Sequence, residues 1–83
     1  MNDAWTEGTR WTPPVWFKGA SVEARLYPRA GSCQWVLTLP YAMLPGNNLC
    51  GGTTRGPEML QLARDAAVLA VATRVLSGQL TPR

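Results

Sequence analysis

The sequence predicts an α+β fold, a small two-layer β-β-β-α domain in which an antiparallel sheet packs against one C-terminal helix at about residues 57–77. Residues 15–39 contain runs in which apolar and polar side chains alternate, as in strands that bury one face. From Pro57 onward, apolar side chains recur at helical spacing. Strands followed by one amphipathic helix bury their apolar faces most simply as two layers around a single core.

The first 14 residues are predicted to form an arm, followed by a single α+β domain over residues 15–83. This arm ends in two consecutive prolines, which favour extended backbone over helix. The tryptophans and cations of the first 18 residues, which include the arm and the start of the next segment, are Trp5, Arg10, Trp11, Trp16 and Lys18. Two alternatives stay open. Either the arm binds a partner, since tryptophan and arginine dominate protein interfaces, or it folds back and covers an edge of the sheet.

The first predicted strand begins at Val15 and changes its apolar parity at Gly19. An additional residue in a strand resets the side-chain phase, and glycine tolerates the backbone that this requires, so a bulge is predicted at Gly19. The strand then continues to about Leu26. A third strand is predicted at about residues 47–52, next to the turn residues 45–48.

The second predicted strand, residues 33–39, has its apolar side chains at odd positions, whereas those of the preceding strand are at even positions. The two sets share a face only if opposing residue numbers sum to an odd number. The register that leaves a four-residue turn at residues 28–31 places Ala24 opposite Trp35. Gly31 is then predicted to take the positive φ of the turn.

The predicted helix begins at Pro57 and ends before Gly78, with Arg74 near its end, as expected for helix start and stop signals. At 100° per residue its apolar side chains form two stripes. The predicted core stripe consists of Met59, Leu62, Ala63, Ala66, Leu69, Ala70 and Thr73. The predicted outer stripe contains Leu60, Val68, Val71 and Val75.

A solvent-facing flank does not normally carry so many aliphatic side chains. Either the sheet wraps far around the helix, or the outer stripe contacts another chain. Because so small a domain has little sheet to wrap, the sequence predicts self-association through this stripe, most simply as a twofold homodimer.

The net charge is +3, and a basic surface is compatible with binding to phosphate. However, seven of the eight cations are arginine and isoleucine is absent, a composition typical of GC-rich genomes. No segment has the apolar length of a membrane span, and the first ten residues lack the apolar run of a signal peptide. We therefore expect a cytoplasmic protein without membrane association, in which Cys33 and Cys50 stay reduced.

The sequence predicts no enzyme activity, cofactor or metal site. The chain has no histidine, so the commonest general base and metal ligand is missing. The spacing of Gly51 and Gly56 matches the two glycines of a phosphate-binding P-loop. Yet Pro57 and Glu58 stand where that motif requires lysine and a hydroxyl residue.

The run from Gly51 through Leu76, a glycine-threonine loop followed by a helix with alanines at 63, 66, 67 and 70, resembles the second half of a double-stranded RNA-binding domain. The resemblance implies a β-hairpin followed by a helix. That family contacts phosphates through lysines at the helix start, where this sequence has Pro57, Glu58 and Met59. The resemblance therefore implies a fold and no RNA-binding residues.

These observations favour a small non-catalytic protein that acts by binding another protein. Inhibitors of host machinery encoded by phages or mobile elements, anti-CRISPR proteins included, are typical functions for chains of this size. The alternative is a nucleic-acid-binding module that uses surface arginines. The predicted partner-binding residues are Trp5, Arg10, Trp11, Trp16, Arg25, Tyr27, Arg29 and Arg55. A continuous stripe of cations would favour nucleic acid, and interruption by Glu7 and Glu23 would favour protein.

Overall fold

The computed structural model describes residues 5–39 and 48–83 and confirms the α+β class, with antiparallel sheets packed against one C-terminal helix. The elements are β1 (Arg10–Trp11), β2 (Val15–Phe17), β3 (Ala20–Ser21), β4 (Glu23–Arg29), β5 (Ser32–Thr38), β6 (Asn48–Arg55), α1 (Met59–Leu76) and β7 (Thr81–Pro82). The larger sheet has the strand order β1-β4-β5-β6, and a smaller one has the order β3-β2-β7. Helix α1 lies over β5 and β6 of the larger sheet.

The predicted bulge at Gly19 is wrong, because the chain reverses there. Lys18 and Gly19 both have positive φ, at 49° and 83°, and Phe17 pairs with Ala20 across them. Two consecutive left-handed residues are typical of a two-residue hairpin turn. The change of apolar parity that predicted a bulge therefore marks the end of one short strand and the start of another.

The predicted parity of β4 and β5 is confirmed, but their register is displaced by two residues. Ala24 lies opposite Leu37, and Leu26 lies opposite Trp35. The reversal needs only residues 30 and 31, and Gly31 has the predicted positive φ, 78°. Pro28 stays in the strand because its nitrogen points away from β5, on the side where the Leu26 N–H donates to Thr9 of the N-terminal segment.

Strand β6 is longer than the predicted 47–52, of which residue 47 lies outside the described residues, as does most of the predicted turn at 45–48. Gly52 lies opposite Trp35, with the indole against its backbone. A Cβ at Gly52 would lie 2.7 Å from Nε1 of Trp35. Glycine in this strand thus makes room for the tryptophan.

We expect Gly52→Ala to lower the free energy of unfolding by about 1–3 kcal/mol, because the new methyl group displaces the Trp35 indole. Chemical denaturation followed by tryptophan fluorescence measures this loss. Thr53→Ala, one residue further in the same strand and exposed, is the control and should cost much less. Equal losses for the two variants would contradict the packing of Trp35 on Gly52.

Helix α1 has close to its predicted limits, but its buried face is rotated from the predicted core stripe and shares with it only Ala63 and Ala70. The buried residues are Ala63, Ala67, Ala70 and Val71. Leu62 and Leu69, predicted in the core, are 47% and 67% exposed. The face is rotated because Val71 joins a core cluster with Trp5, Val15 and Leu80, which come from outside the larger sheet.

The N-terminal segment contributes to the core within the described residues. Trp5 is only 6% exposed, and its ring centroid lies 5.4 Å from that of Trp11. Strand β1 pairs with β4, with Trp11 opposite Ala24. Of the two alternatives for this segment, the structure has the one in which it covers a sheet edge.

Candidate binding surface

The face of the larger sheet that points away from α1 collects most of the arginines. Thr54 faces the helix, since its hydroxyl donates to the Met59 carbonyl oxygen at 2.6 Å. Side chains alternate along a strand, so the neighbouring odd positions of β6 face the opposite way. The cross-strand partners on that opposite side, which we call the outer face, are Arg10, Arg25 and Val36, then Tyr27, Gln34 and Thr53, then Arg29, Ser32 and Arg55.

One end of the outer face holds an ion-paired cluster around Glu23. The Arg25 Nε donates to a Glu23 carboxylate oxygen at 2.7 Å, and the Arg10 Nε lies 3.7 Å from the other oxygen. The hydrogen bond from Arg25 to Glu23, and then the charge of Glu23, raise the pKa of Arg25. One carboxylate thus partly neutralises two of the four arginines on this face.

The other end of the outer face is free of carboxylates among the described residues. Arg29 and Arg55 lie on either side of Ser32 in one cross-strand row, and neither forms an ion pair within the described part of the chain. Tyr27 occupies the adjacent row and is 46% exposed. An aromatic side chain with unpaired arginines nearby is a composition typical of interface hot spots.

A polar groove opens beside Tyr27, where the N-terminal segment meets β4. Its volume is about 330 Å³, and its walls include Thr6, Glu7, Thr9, Arg10, Arg25 and Tyr27. Arg64 of α1 holds the adjacent loop by donating from Nε to the Gly8 carbonyl oxygen at 3.1 Å. The groove therefore extends the outer face and brings a second acid, Glu7, next to its arginines.

The structure brings together five of the predicted partner-binding residues and separates the rest. The residues gathered on the outer face are Arg10, Arg25, Tyr27, Arg29 and Arg55. Trp5 is buried, Trp11 packs against the core, and Trp16 lies in the smaller sheet. Lys18 lies at the β2–β3 turn, with its ammonium 5.4 Å from the Phe17 ring centroid. The cations thus do not form one uninterrupted stripe.

The predicted self-association stripe is largely occupied by the protein's own core. Val71 is 7% exposed, and Leu60 and Val75 are partly buried against the core cluster. Of the four residues, only Val68 is exposed. The exposed leucines of the helix are instead Leu62, Leu69 and Leu76. Their seven-residue spacing is a signal in the sequence that could have identified this surface.

Both cysteines have features of unreactive thiols. Burial raises the pKa of Cys33, despite smaller opposing effects that include the charge of Arg64. Burial likewise raises the pKa of Cys50, where Arg74 acts in the opposite direction. A raised pKa leaves less thiolate, the nucleophilic form, near neutral pH.

Within residues 5–39 and 48–83, no three potential metal-ligating side chains cluster, and no helix has the length and apolarity needed to cross a membrane. Comparison with known families, curated proteins and solved structures finds no match.

Proposed function

We propose that this protein is a non-catalytic cytoplasmic binding protein whose outer face docks on an acidic surface of another protein. The observation that carries the proposal is Tyr27, an exposed aromatic side chain next to the unpaired arginines Arg29 and Arg55. Tyrosine and arginine are the residues on which interface energy concentrates. Gln34 and Thr53, in the same row as Tyr27, add hydrogen-bonding groups around it.

The acids on this face favour a protein over a nucleic acid as partner. Glu23 is held between Arg10 and Arg25, and Glu7 lies in the adjoining groove. A phosphate backbone requires cations spaced along its path, and carboxylates within that path oppose it. A protein surface that is mainly acidic but carries a base opposite Glu7 or Glu23 is complementary to such a mixture.

Binding to single-stranded nucleic acid is the second candidate. The observation in its favour is the same end of the outer face, where Tyr27 is available for stacking and no carboxylate among the described residues accompanies Arg29 or Arg55. Base stacking on aromatic side chains is worth about 1–3 kcal/mol per base. The difference lies in salt dependence, since contacts to phosphate weaken steeply as salt rises.

An inhibitor of a larger assembly, encoded by a phage or mobile element as anti-CRISPR proteins are, would need no more than one such surface. We also propose that the protein works as a homodimer. The predicted residues Leu60, Val71 and Val75 are engaged in the protein's own core, so the contact must use other residues.

The experiment compares affinity capture from a native lysate by the wild type, Tyr27→Ala, and the double variant Arg29→Glu with Arg55→Glu. A protein captured by the wild type should be lost from both variants, with affinity reduced at least about tenfold, as expected for hot-spot residues. Lys18→Glu is the control because it reverses one charge at a site away from the outer face. Capture that is equal for all four baits contradicts the proposal.

A fluorescent single-stranded oligonucleotide, titrated at low and physiological salt, tests the second candidate. Tight binding at physiological salt that Tyr27→Ala abolishes would replace the protein-binding proposal with nucleic-acid binding. Binding only at low salt, unaffected by Tyr27→Ala, would reflect the net positive charge alone.

A further inference from the structure

The outer edge of β6 carries unpaired backbone groups. Strand β6 is the last strand of the larger sheet, so one of its sides has no neighbour among the described residues. The carbonyl oxygen of Cys33 points toward β6, since it lies 3.3 Å from Oγ1 of Thr54. Backbone groups alternate in direction along a strand. Thr54 and Gly52 therefore face β5, while the N–H and C=O groups of Gly51, Thr53 and Arg55 point outward.

The two edges of this sheet differ in their protection against pairing. At the opposite edge, β1 is only two residues long, and Pro28 removes an outward N–H from β4 beyond it. Short edge strands and proline are common devices that prevent a sheet from adding another strand. In β6 the segment from Gly51 to Arg55 contains no proline, lysine or bulge. Within residues 5–39 and 48–83, only the β6 edge of the sheet is thus left open.

The open edge is complementary to itself. If two copies pair antiparallel about a twofold axis through Thr53, then Thr53 faces Thr53 of the second copy and Gly51 faces its Arg55. All three outward residues then exchange N–H···O=C bonds, six in total, since each opposing pair of this kind makes two. Each Arg55 lies opposite a glycine, so this register does not place the two arginines opposite each other.

An apolar flank of α1 lies on the same side as this edge. Arg64 marks the flank toward β1, because it bonds to Gly8 in the segment before that strand. At 100° per residue, Leu62 and Leu69 lie more than a third of a turn away from Arg64, on the flank toward β6. We call Leu62, Ala66 and Leu69 the leucine flank. Its two leucines are exposed, as given above.

Pairing at β6 would bring two leucine flanks together. Helix α1 lies over β5 and β6. With neighbouring strands about 4.8 Å apart, helices on the two halves of a joined sheet would lie about 10–14 Å apart. A helix with its side chains is about 10–12 Å across, so the two leucine flanks would face each other across the joined edge. One symmetric arrangement thus satisfies the open edge and brings the exposed leucines of the two copies toward each other.

We infer that two copies of this protein join through antiparallel β6–β6 pairing, which forms one eight-stranded sheet with two adjacent helices on one side. This inference rests on the proposed homodimer and gives it a contact surface. The outer faces of the two copies become continuous across the joined edge. A partner protein would then meet two Tyr27 sites on one surface.

The decisive variant is Thr53→Pro. Proline lacks a backbone N–H, and the N–H of Thr53 points outward from the sheet. The substitution therefore keeps the hydrogen bonds between β5 and β6 and interrupts only the pairing between copies. Sedimentation equilibrium should show a wild-type dimer whose Kd rises at least about tenfold in Thr53→Pro, by loss of hydrogen bonds on both copies. Thr53→Val, which keeps the N–H and the β-branched shape, is the matched control and should remain a dimer.

Leu62→Lys and hydrogen exchange supply independent readouts. Leu62→Lys should also weaken the dimer without unfolding it, since the site is exposed in each copy. In the wild type, the amides of Gly51, Thr53 and Arg55 should become protected as concentration rises, a result that does not depend on any variant folding. A dimer in which those amides stay unprotected overturns β6 pairing alone. A wild type that sediments as a monomer at all concentrations overturns self-association altogether, and in either case partner capture through Tyr27 is judged separately.

Discussion

Val71→Glu should severely destabilise the fold of this protein. The Val71 side chain is buried in the same core cluster as Trp5, Val15 and Leu80, and Arg74, one helical turn on, already donates to the Ala70 carbonyl oxygen. An unpaired charge left in a core costs roughly 3–5 kcal/mol. A small domain has only about 5–15 kcal/mol of stability in total. The loss therefore removes a large part of what holds the fold together.

Circular dichroism during thermal unfolding measures this effect, with Leu76→Glu as the control. Leu76 belongs to the same helix and is 89% exposed, so the same charge there should change stability by less than about 0.5 kcal/mol. A folded Val71→Glu variant with an unchanged unfolding midpoint would restore the interpretation of Val71 as a surface residue. It would also contradict the helix phase described above.

Deletion of residues 1–11 should strongly destabilise the fold as well as remove any contact they make to a partner. The deletion takes away Trp5, which is buried, and β1, which covers the edge of β4. Truncation of a buried tryptophan to alanine typically costs about 3–5 kcal/mol. We therefore expect Trp5→Ala alone to lower the free energy of unfolding by that amount, and the deletion to lower it further.

Urea denaturation of the deletion variant, Trp5→Ala and Trp16→Ala tests this expectation. Trp16 is 44% exposed and serves as the control, with a much smaller expected loss. A deletion variant that unfolds cooperatively at the wild-type urea concentration would show that the N-terminal segment is a separable arm. In that case its tryptophans would again be candidates for partner binding.

The protein has three surfaces with different roles. The core side of α1 is closed by the N-terminal segment and by Leu80 beyond the helix. The outer face, centred on Tyr27, is open and charged. The β6 edge and the leucine flank are open and uncharged apart from Arg55. Tyr27→Ala and Leu62→Lys each change a residue that belongs to only one of the two open surfaces, so they test partner binding and self-association separately.

Local patterns in the sequence were sufficient for the element types and for several of their limits. Proline, an early acid and a following glycine placed the helix within two residues of Met59–Leu76. Alternation correctly assigned the inward and outward faces of β4 and β5, and hence the outward position of Tyr27. Gly31 was identified as a turn residue because it lies between the two alternating runs. Each of these properties depends on a few neighbouring residues.

The tertiary structure decided which apolar residues are buried when the sequence offers two equivalent choices. Helix α1 has aliphatic side chains on both stripes, so periodicity alone does not distinguish Val71 from Leu69. The buried side of α1 shares a core cluster with Trp5 and Val15, which are far away in the chain, and with Leu80 just beyond the helix. Contacts between distant segments also bury Trp5 and place Trp11 opposite Ala24.

Strand pairing also required information beyond the local pattern. Registers that differ by two residues keep every side chain on the same face. Alternation therefore determined which side chains of β4 and β5 share a face, but it did not distinguish the two-residue turn from a four-residue one. The sequence by itself determined which side chains share a face of each strand or helix. Only the packing of distant segments determined which face is covered, because burial is a property of contacts between segments and not of any one of them.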